Sequence, residues 1–302
     1  MARSLKQVLI GSPLETSALH EQRLPKKSAL PILASDNLSS AAYATEEIVV
    51  GLLAGASMGA VLPLYYAIPI SLAIGLLTGI VAISYGQTLH AYPNGGGAYT
   101  VAKENIGITA ALVAGSSLLV DYVLTVAVSV AAGIAAITSA FPALYSHRVL
   151  LSLLTIAVVL VLNLRGVRES AAVFAGPVYL FIGSAILMIL VGLVRHLAGA
   201  EPTAHPAAVA ALVPTIHPAG SFTTVFLLLH AFASGCAALT GIEAVANGVT
   251  MFKPPVARNA ATVLYILAGL LTVLFLGITW LSYIHGILPR EQETMLSQLA
   301  RT

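Results

Sequence analysis

Long apolar runs recur along this chain and constrain its fold more than any other feature. Runs of twenty or more residues with few charges are long enough to cross the roughly 30 Å hydrocarbon core of a bilayer as helices. The composition agrees, because 58% of the 302 residues are hydrophobic and only 9% are charged, whereas about a quarter of the residues of a soluble domain are charged. The sequence therefore predicts an all-α polytopic membrane protein.

Seven membrane spans can be placed on these runs. In chain order they cover residues 31–56, 61–88, 108–140, 148–164, 171–194, 222–249 and 260–284. The polar segment before them lacks the apolar stretch and cleavage site of a signal peptide, so residues 1–28 are predicted to form a cytoplasmic tail. Residues 29–285 then form the membrane domain, and residues 286–302 form a polar extracellular segment.

The distribution of basic residues predicts the orientation. With the N-terminus inside, ten Lys and Arg residues face the cytoplasm and four face outward, as the positive-inside rule requires. We therefore expect a multi-pass protein of the cell membrane with a cytoplasmic N-terminus. The net charge is only +2 and the basic residues flank the spans, so no nucleic-acid partner is expected. The single Cys236 lies in an apolar run, which excludes a disulfide framework and a cysteine-based metal site.

Two spans contain polar interruptions. The first span carries "SDNLSS" and the sixth carries "SGCAALTGIEAVANG". Irregular backbone is tolerated in a membrane only where protein or a watery cavity satisfies it, and paired broken helices are typical of transporters with inverted repeats. The spacing predicts five-span repeats, the second incomplete at Thr302, with both helices unwound side by side near mid-membrane. Each interruption also fits a Gly/Ser kink packed against a neighbour.

Helical spacing groups the polar residues of three spans into stripes, each containing a carboxylate and hydroxyl groups. The stripes are Asp36, Ser40, Tyr43 and Glu47 in the first span, Asp121, Tyr122, Thr125 and Ser129 in the third, and Cys236, Thr240, Glu243 and Asn247 in the sixth.

These three spans contain no Lys or Arg that could neutralise the carboxylates. A buried ionised carboxylate is costly unless paired, so the positive charge must come from a proton or a bound cation. Oxygen ligands such as these suit a hard monovalent cation. Asp36 also fits the role of a helix cap, which is compatible with cation binding.

Several of these segments resemble a known family. "ASDNLSSAAYATEE", "YPNGGGAYTVAKENIG", "DYVLTVAVS", "LTGIEAVANGV" and "FKPP" are similar to segments of the amino acid-polyamine-organocation (APC) superfamily, and most similar to those of its KimA-type potassium/proton symporters. The resemblance extends from about residue 28 to 285. It implies a LeuT-type inverted-repeat transporter fold, here truncated after the seventh transmembrane helix.

The resemblance also implies a function, namely proton-coupled potassium uptake by alternating access, with no enzymatic activity. It implies no cofactor besides the transported potassium ion and proton, and the bilayer and a small-ion or small-molecule substrate as partners, with a homodimer left open. Glu243 would couple the proton, and the cation or substrate site would be formed by Asp36, Tyr43, Asp121, Tyr122, Thr125, Ser129 and Thr240.

Other functions remain as alternatives. The leading one is a proton-coupled amino acid permease of the same superfamily, whose first span usually has a Gly-rich break with free amides for a substrate carboxylate. The Asp in the present break would repel that carboxylate. A seven-span receptor and an intramembrane protease using Asp36 and Asp121 are more distant alternatives. The family also has about twelve spans, of which seven are predicted in this sequence.

Overall fold

The computed structural model describes residues 23–55, 62–164, 167–199 and 221–302. Residues 1–22 of the predicted tail and residues 165–166, which the predicted orientation assigns to the cytoplasm, lie outside this part of the chain. The described residues form ten α-helices, joined by turns and short 3-10 helices: α1 Lys26–Leu53, α2 Ala67–Ala91, α3 Gly97–Asn105, α4 Ile108–Ala140, α5 Arg148–Leu164, α6 Val167–Leu197, α7 Ser221–Gly235, α8 Ile242–Asn247, α9 Val256–Ile284 and α10 Met295–Arg301.

Six of the seven predicted spans are long and apolar enough to cross a bilayer in the described part of the chain. The first predicted span, α1, is not among these six. It has 28 residues, which at 1.5 Å per residue give about 42 Å, but Asp36, Asn37 and several serines reduce its apolar character. The all-α polytopic membrane fold is therefore confirmed, with α1 as its most polar long helix.

Large apolar side chains cover the outer faces of the long helices. On α2, Leu72, Leu76, Ile80 and Ile83 follow helical spacing and are each more than half exposed. α5 has no buried residue at all. A monomeric soluble protein rarely exposes contiguous apolar surface of this extent, so these faces are expected to contact lipid.

The helix α1 lies at the centre of the bundle and packs against α2, α6, α7 and α9. Small residues allow the closest approach, since a Cβ atom added at Gly51 would lie only 2.7 Å from the Ala231 Cα of α7. Such contacts are typical of membrane helices, whose association depends on close van der Waals packing. The polar residues of α1 are consequently held among other helices, away from lipid.

The prediction that the first span is unwound is wrong, because α1 is continuous from Lys26 to Leu53. Its serines bond back to the helix: the Ser35 hydroxyl donates to the Ile32 carbonyl, and the Ser39 and Ser40 hydroxyls donate to the Asp36 carbonyl. Side chains of this type can bond to carbonyls one turn earlier without ending the helix. The polar run "SDNLSS" therefore lines one part of a regular helix.

Candidate functional site

The sixth predicted span is broken, as its sequence indicates. α7 ends at Gly235, a 3-10 turn covers Cys236–Leu239, and α8 begins at Ile242. Between them Thr240 is extended, with ψ 146°, and Gly241 has φ +80°. This φ lies in the left-handed region that glycine adopts without strain. Residues 236–241 are called the break below.

The break faces the polar part of α1. A Cβ atom added at Gly241 would lie 2.5 Å from both Asp36 Oδ2 and Asn37 Oδ1. Glycine is therefore required at this position for two reasons, its backbone conformation and the absence of a side chain between the break and α1. The result is a direct approach of a carboxylate and an amide oxygen to the irregular backbone.

Hydroxyl groups connect the break to α1 and α4. The Ser40 hydroxyl lies 2.6 Å from the Thr240 hydroxyl and 3.2 Å from that of Tyr43, so one serine joins the break to the next turn of α1. The Ser39 hydroxyl lies 3.1 Å from that of Ser129 on α4. Three elements that are far apart in sequence thus share one network of oxygen atoms.

A cavity of about 270 Å³ lies beside the break. Its walls come from α2, α4, the break and the start of α8, and four of the predicted site residues line it. It is lined by Val81, Tyr85, Asp121, Tyr122, Cys236, Leu239, Thr240, Gly241, Ile242 and Glu243. This volume can hold an ion with its remaining water molecules or a small organic molecule. We call it the break cavity.

A second cavity, of about 370 Å³, lies between α1, α4 and α6. Tyr43 and Ser129 line it, together with Glu46. The start of α10 and the preceding Thr294 close one side. There the Met295 amide donates to Glu46 Oε2 over 3.1 Å and the Thr294 amide donates to the Ser139 hydroxyl over 3.0 Å. Ser39 and Ser129, whose hydroxyl groups are in contact, both line this cavity where α1 approaches α4.

Glu243 has a partner that its sequence context did not reveal. Its Oε1 atom accepts a hydrogen bond of 2.9 Å from the Ala98 amide, in the first turn of α3. The Tyr85 hydroxyl also faces this carboxylate. A carboxylate at a helix N-terminus satisfies an otherwise unpaired amide and interacts favourably with the helix dipole. Glu243 thus links the "GGGAY" segment, which contains Ala98, to α8.

The carboxylates of the site have no basic partner in the part of the chain that the structure describes. The ion pairs recorded there join Arg290 and Arg301 to Glu293, away from the break. Asp36 and Asp121 instead act on each other as like charges. The arrangement therefore attracts positive charge and offers it carboxylate, hydroxyl and amide oxygens.

Six of the eight predicted site residues line the two cavities. Asp121, Tyr122, Thr240 and Glu243 line the break cavity, whereas Tyr43 and Ser129 line the other. The side chain of Asp36 extends from α1 toward the break. Thr125 is buried on α4, between Asp121 and Ser129.

Sequence reasoning missed several polar neighbours. Tyr85 on α2 and the buried Asn37 were not selected, although Tyr85 belongs to the polar patch "SYGQT" of its span and Asn37 belongs to "SDNLSS". Asn247, grouped by its spacing but not assigned a role, donates a hydrogen bond to the Tyr122 hydroxyl. Its amide therefore orients a residue of the break cavity.

Two comparisons relate the chain to known proteins. The family described as "Amino acid permease" matches residues 32–300. The chain is also 48% identical over 301 residues, 99% of its length, to the "Potassium transporter KimA" of Bacillus subtilis (strain 168), and spans 48% of the length of that relative. The match includes every residue of the site described above, and the chain therefore belongs to the amino acid permease family of the APC superfamily of membrane transporters.

Proposed function

We propose that the full-length protein takes up potassium across the cell membrane by alternating access and couples this uptake to protons. The similarity to a potassium transporter of Bacillus subtilis supports potassium as the substrate. The observation that carries the proposal is the pair of carboxylates at the break, Asp36 and Asp121, which stand among hydroxyl groups without a basic partner in the described residues.

This donor set fits a potassium ion. Hard monovalent cations are bound by several oxygen atoms, and broken membrane helices supply them from side chains and free backbone carbonyls. Asp36, Asp121 and Thr240 provide two carboxylates and one hydroxyl group around the same stretch of backbone. A cation placed there would relieve the repulsion between the two carboxylates, and its charge would lower the cost of burying them.

An amino acid is the second candidate substrate. The family name and the break itself favour it, since no side chain caps the N-terminus of α8 at Gly241, and amides at a helix N-terminus can bind a carboxylate. Asp36 argues against it, because its Oδ2 atom occupies the space directly beside Gly241. An incoming carboxylate would meet a like charge there.

Glu243 is proposed as the proton-coupling residue. It lines the break cavity and also accepts the Ala98 amide of α3, so its charge acts on the transport site and on the "GGGAY" segment together. Protonation would weaken the interaction with the α3 N-terminus, since a carboxylate accepts more strongly than a carboxylic acid. In this way the proton would influence whether α3 stays attached to α8.

The proposed orientation places the N-terminus in the cytoplasm, as the positive-inside rule predicts. The "YPNGGGAY" segment and α3 are then on the cytoplasmic side, and α10 is on the external side. Under this orientation Glu243, which contacts α3, lies nearer the cytoplasmic end of the pathway, and Glu46, which contacts α10, lies nearer the external end. Potassium and protons are the only ions that the mechanism needs, and no cofactor is proposed.

Growth of potassium-uptake-deficient cells at low potassium tests the proposal. The full-length protein should restore growth, and Asp121→Asn should abolish it while the protein still inserts into the membrane. The matched control is Glu104→Gln, which removes a carboxylate from an exposed position of α3 and should leave growth unchanged. Normal growth with Asp121→Asn, or uptake of an amino acid in place of potassium by the full-length protein, would contradict the proposal.

A further inference from the structure

Asn37 has an unusual environment for an amide. It is fully buried on α1, with 0% of its surface exposed. Neither its Oδ1 nor its Nδ2 atom has a hydrogen-bond partner among the described residues. More than nine in ten buried polar groups are paired in folded proteins, and an unpaired one is destabilising. The Asn37 amide therefore needs a polar or charged partner that the described protein atoms do not provide.

The unpaired atoms of the described residues are concentrated at this place. Among the described residues, four buried side-chain atoms lack a hydrogen-bond partner, and three of them belong to the consecutive residues Asp36 and Asn37. The fourth is the Ser282 hydroxyl on α9, which lines neither the break cavity nor the cavity between α1, α4 and α6. A general packing defect would distribute such atoms over the molecule, whereas a binding site collects them.

The oxygen of the Asn37 amide lies against Gly241. The Asn37 Oδ1 and Asp36 Oδ2 atoms each lie 2.5 Å from the position that a Gly241 Cβ would take, so the two oxygens are separated by no more than about 5 Å. Two oxygens at this separation can bind one cation between them, as the ligands of a filter or transporter site do. The continuous α1 helix holds both residues in fixed positions.

We infer that the Asn37 amide oxygen is a neutral ligand of the transported cation, completing with Asp36 a site against the Gly241 backbone. This inference rests on the proposed potassium function and adds a residue that the predicted site did not contain. A neutral oxygen binds the ion without adding a third buried charge beside Asp36 and Asp121, which would raise the cost of the empty site. The amide nitrogen then donates to a water molecule retained by the ion.

Potassium binding to the purified full-length protein in detergent, measured by calorimetry, tests the inference. Asn37→Leu has nearly the size of asparagine but no polar atom, and it should weaken potassium binding about tenfold or more, the effect of losing one strong contact to a charge. Asn37→Asp keeps an oxygen in the same place and adds a buried charge, so it should bind potassium at least as tightly as the parent and unfold at a lower temperature without potassium. Ser282→Ala, which removes the unpaired atom outside the proposed site, should leave binding unchanged.

Thermal unfolding without potassium separates a ligand from a structural residue. Asn37→Leu should unfold at the same or a higher temperature, since it removes an unpaired buried amide, and the potassium-induced increase in stability should become smaller. If Asn37→Leu does not fold, Asn37→Ser, whose shorter side chain withdraws the oxygen from Gly241, should show the same loss of binding.

Two further results have different meanings. If the parent binds potassium and Asp36→Asn weakens that binding, but Asn37→Leu or Asn37→Ser binds it as tightly as the parent, then Asn37 is not a ligand and the inference is overturned alone. If the parent binds no potassium at all, the proposed function itself is wrong, and the inference fails with it.

Discussion

The substitution Gly241→Ala tests the central geometry of the site, the contact between the break and α1. Alanine at φ +80° costs about 1 to 2 kcal/mol, because its Cβ crowds the following carbonyl. That Cβ would also lie 2.5 Å from Asp36 Oδ2 and from Asn37 Oδ1, closer than real contacts allow. Moving both side chains away adds about 1 to 3 kcal/mol, so the total is about 2 to 5 kcal/mol.

Part of this energy should appear as lost affinity, because the side chains that must move are the proposed ligands. We expect potassium binding to weaken at least about tenfold, which corresponds to about 1.4 kcal/mol, and the remainder to lower the free energy of unfolding. Calorimetry and thermal unfolding of the full-length protein measure the two effects on the same sample.

The control for this prediction is Gly79→Ala. Gly79 lies on an exposed face of α2, and a Cβ there has no neighbour within 4 Å. Its replacement should leave potassium binding unchanged and stabilise the helix by up to about 1 kcal/mol. If Gly241→Ala behaved like this control in both measurements, the break would not be in contact with Asp36 and Asn37, and the site as described would be wrong.

Two further predictions concern the link between Glu243 and α3. The side chain in Glu243→Gln can still accept the hydrogen bond from the Ala98 amide but cannot release a proton. Potassium should therefore bind, while potassium accumulation driven by a pH gradient should fail in proteoliposomes. Accumulation with an unchanged dependence on the gradient would exclude Glu243 as the coupling residue. Gly97→Ala would place a Cβ 2.6 Å from Glu243 Oε1 and also against Asn247. It should therefore detach α3, slow potassium uptake about tenfold or more and increase proteolysis of the loop between α2 and α3. Uptake and proteolysis at parental rates would show that α3 does not need this contact.

Several properties of the protein follow from the sequence by itself. The apolar runs are sufficient to predict the bundle of membrane helices, because burial in lipid depends on the local length and hydropathy of each segment. The break in the sixth span is also local in origin, since Gly241 allows a left-handed backbone conformation that ends the regular helix. Helical spacing likewise selected the carboxylates that line the break cavity.

The tertiary structure decided how these elements face each other. "SDNLSS" resembles a break in sequence, yet α1 stays helical, because its serine hydroxyls bond to the helix itself and neighbouring helices cover its polar face. The contact of Ser40 with Thr240 joins residues 200 positions apart, and Ala98 meets Glu243 across 145 positions. Helical periodicity assigns a residue to a face of its own helix, but it contains no information on which helix covers that face. For that reason the complete burial of Asn37, and with it the proposed amide ligand, became visible only when α1 was packed against the break.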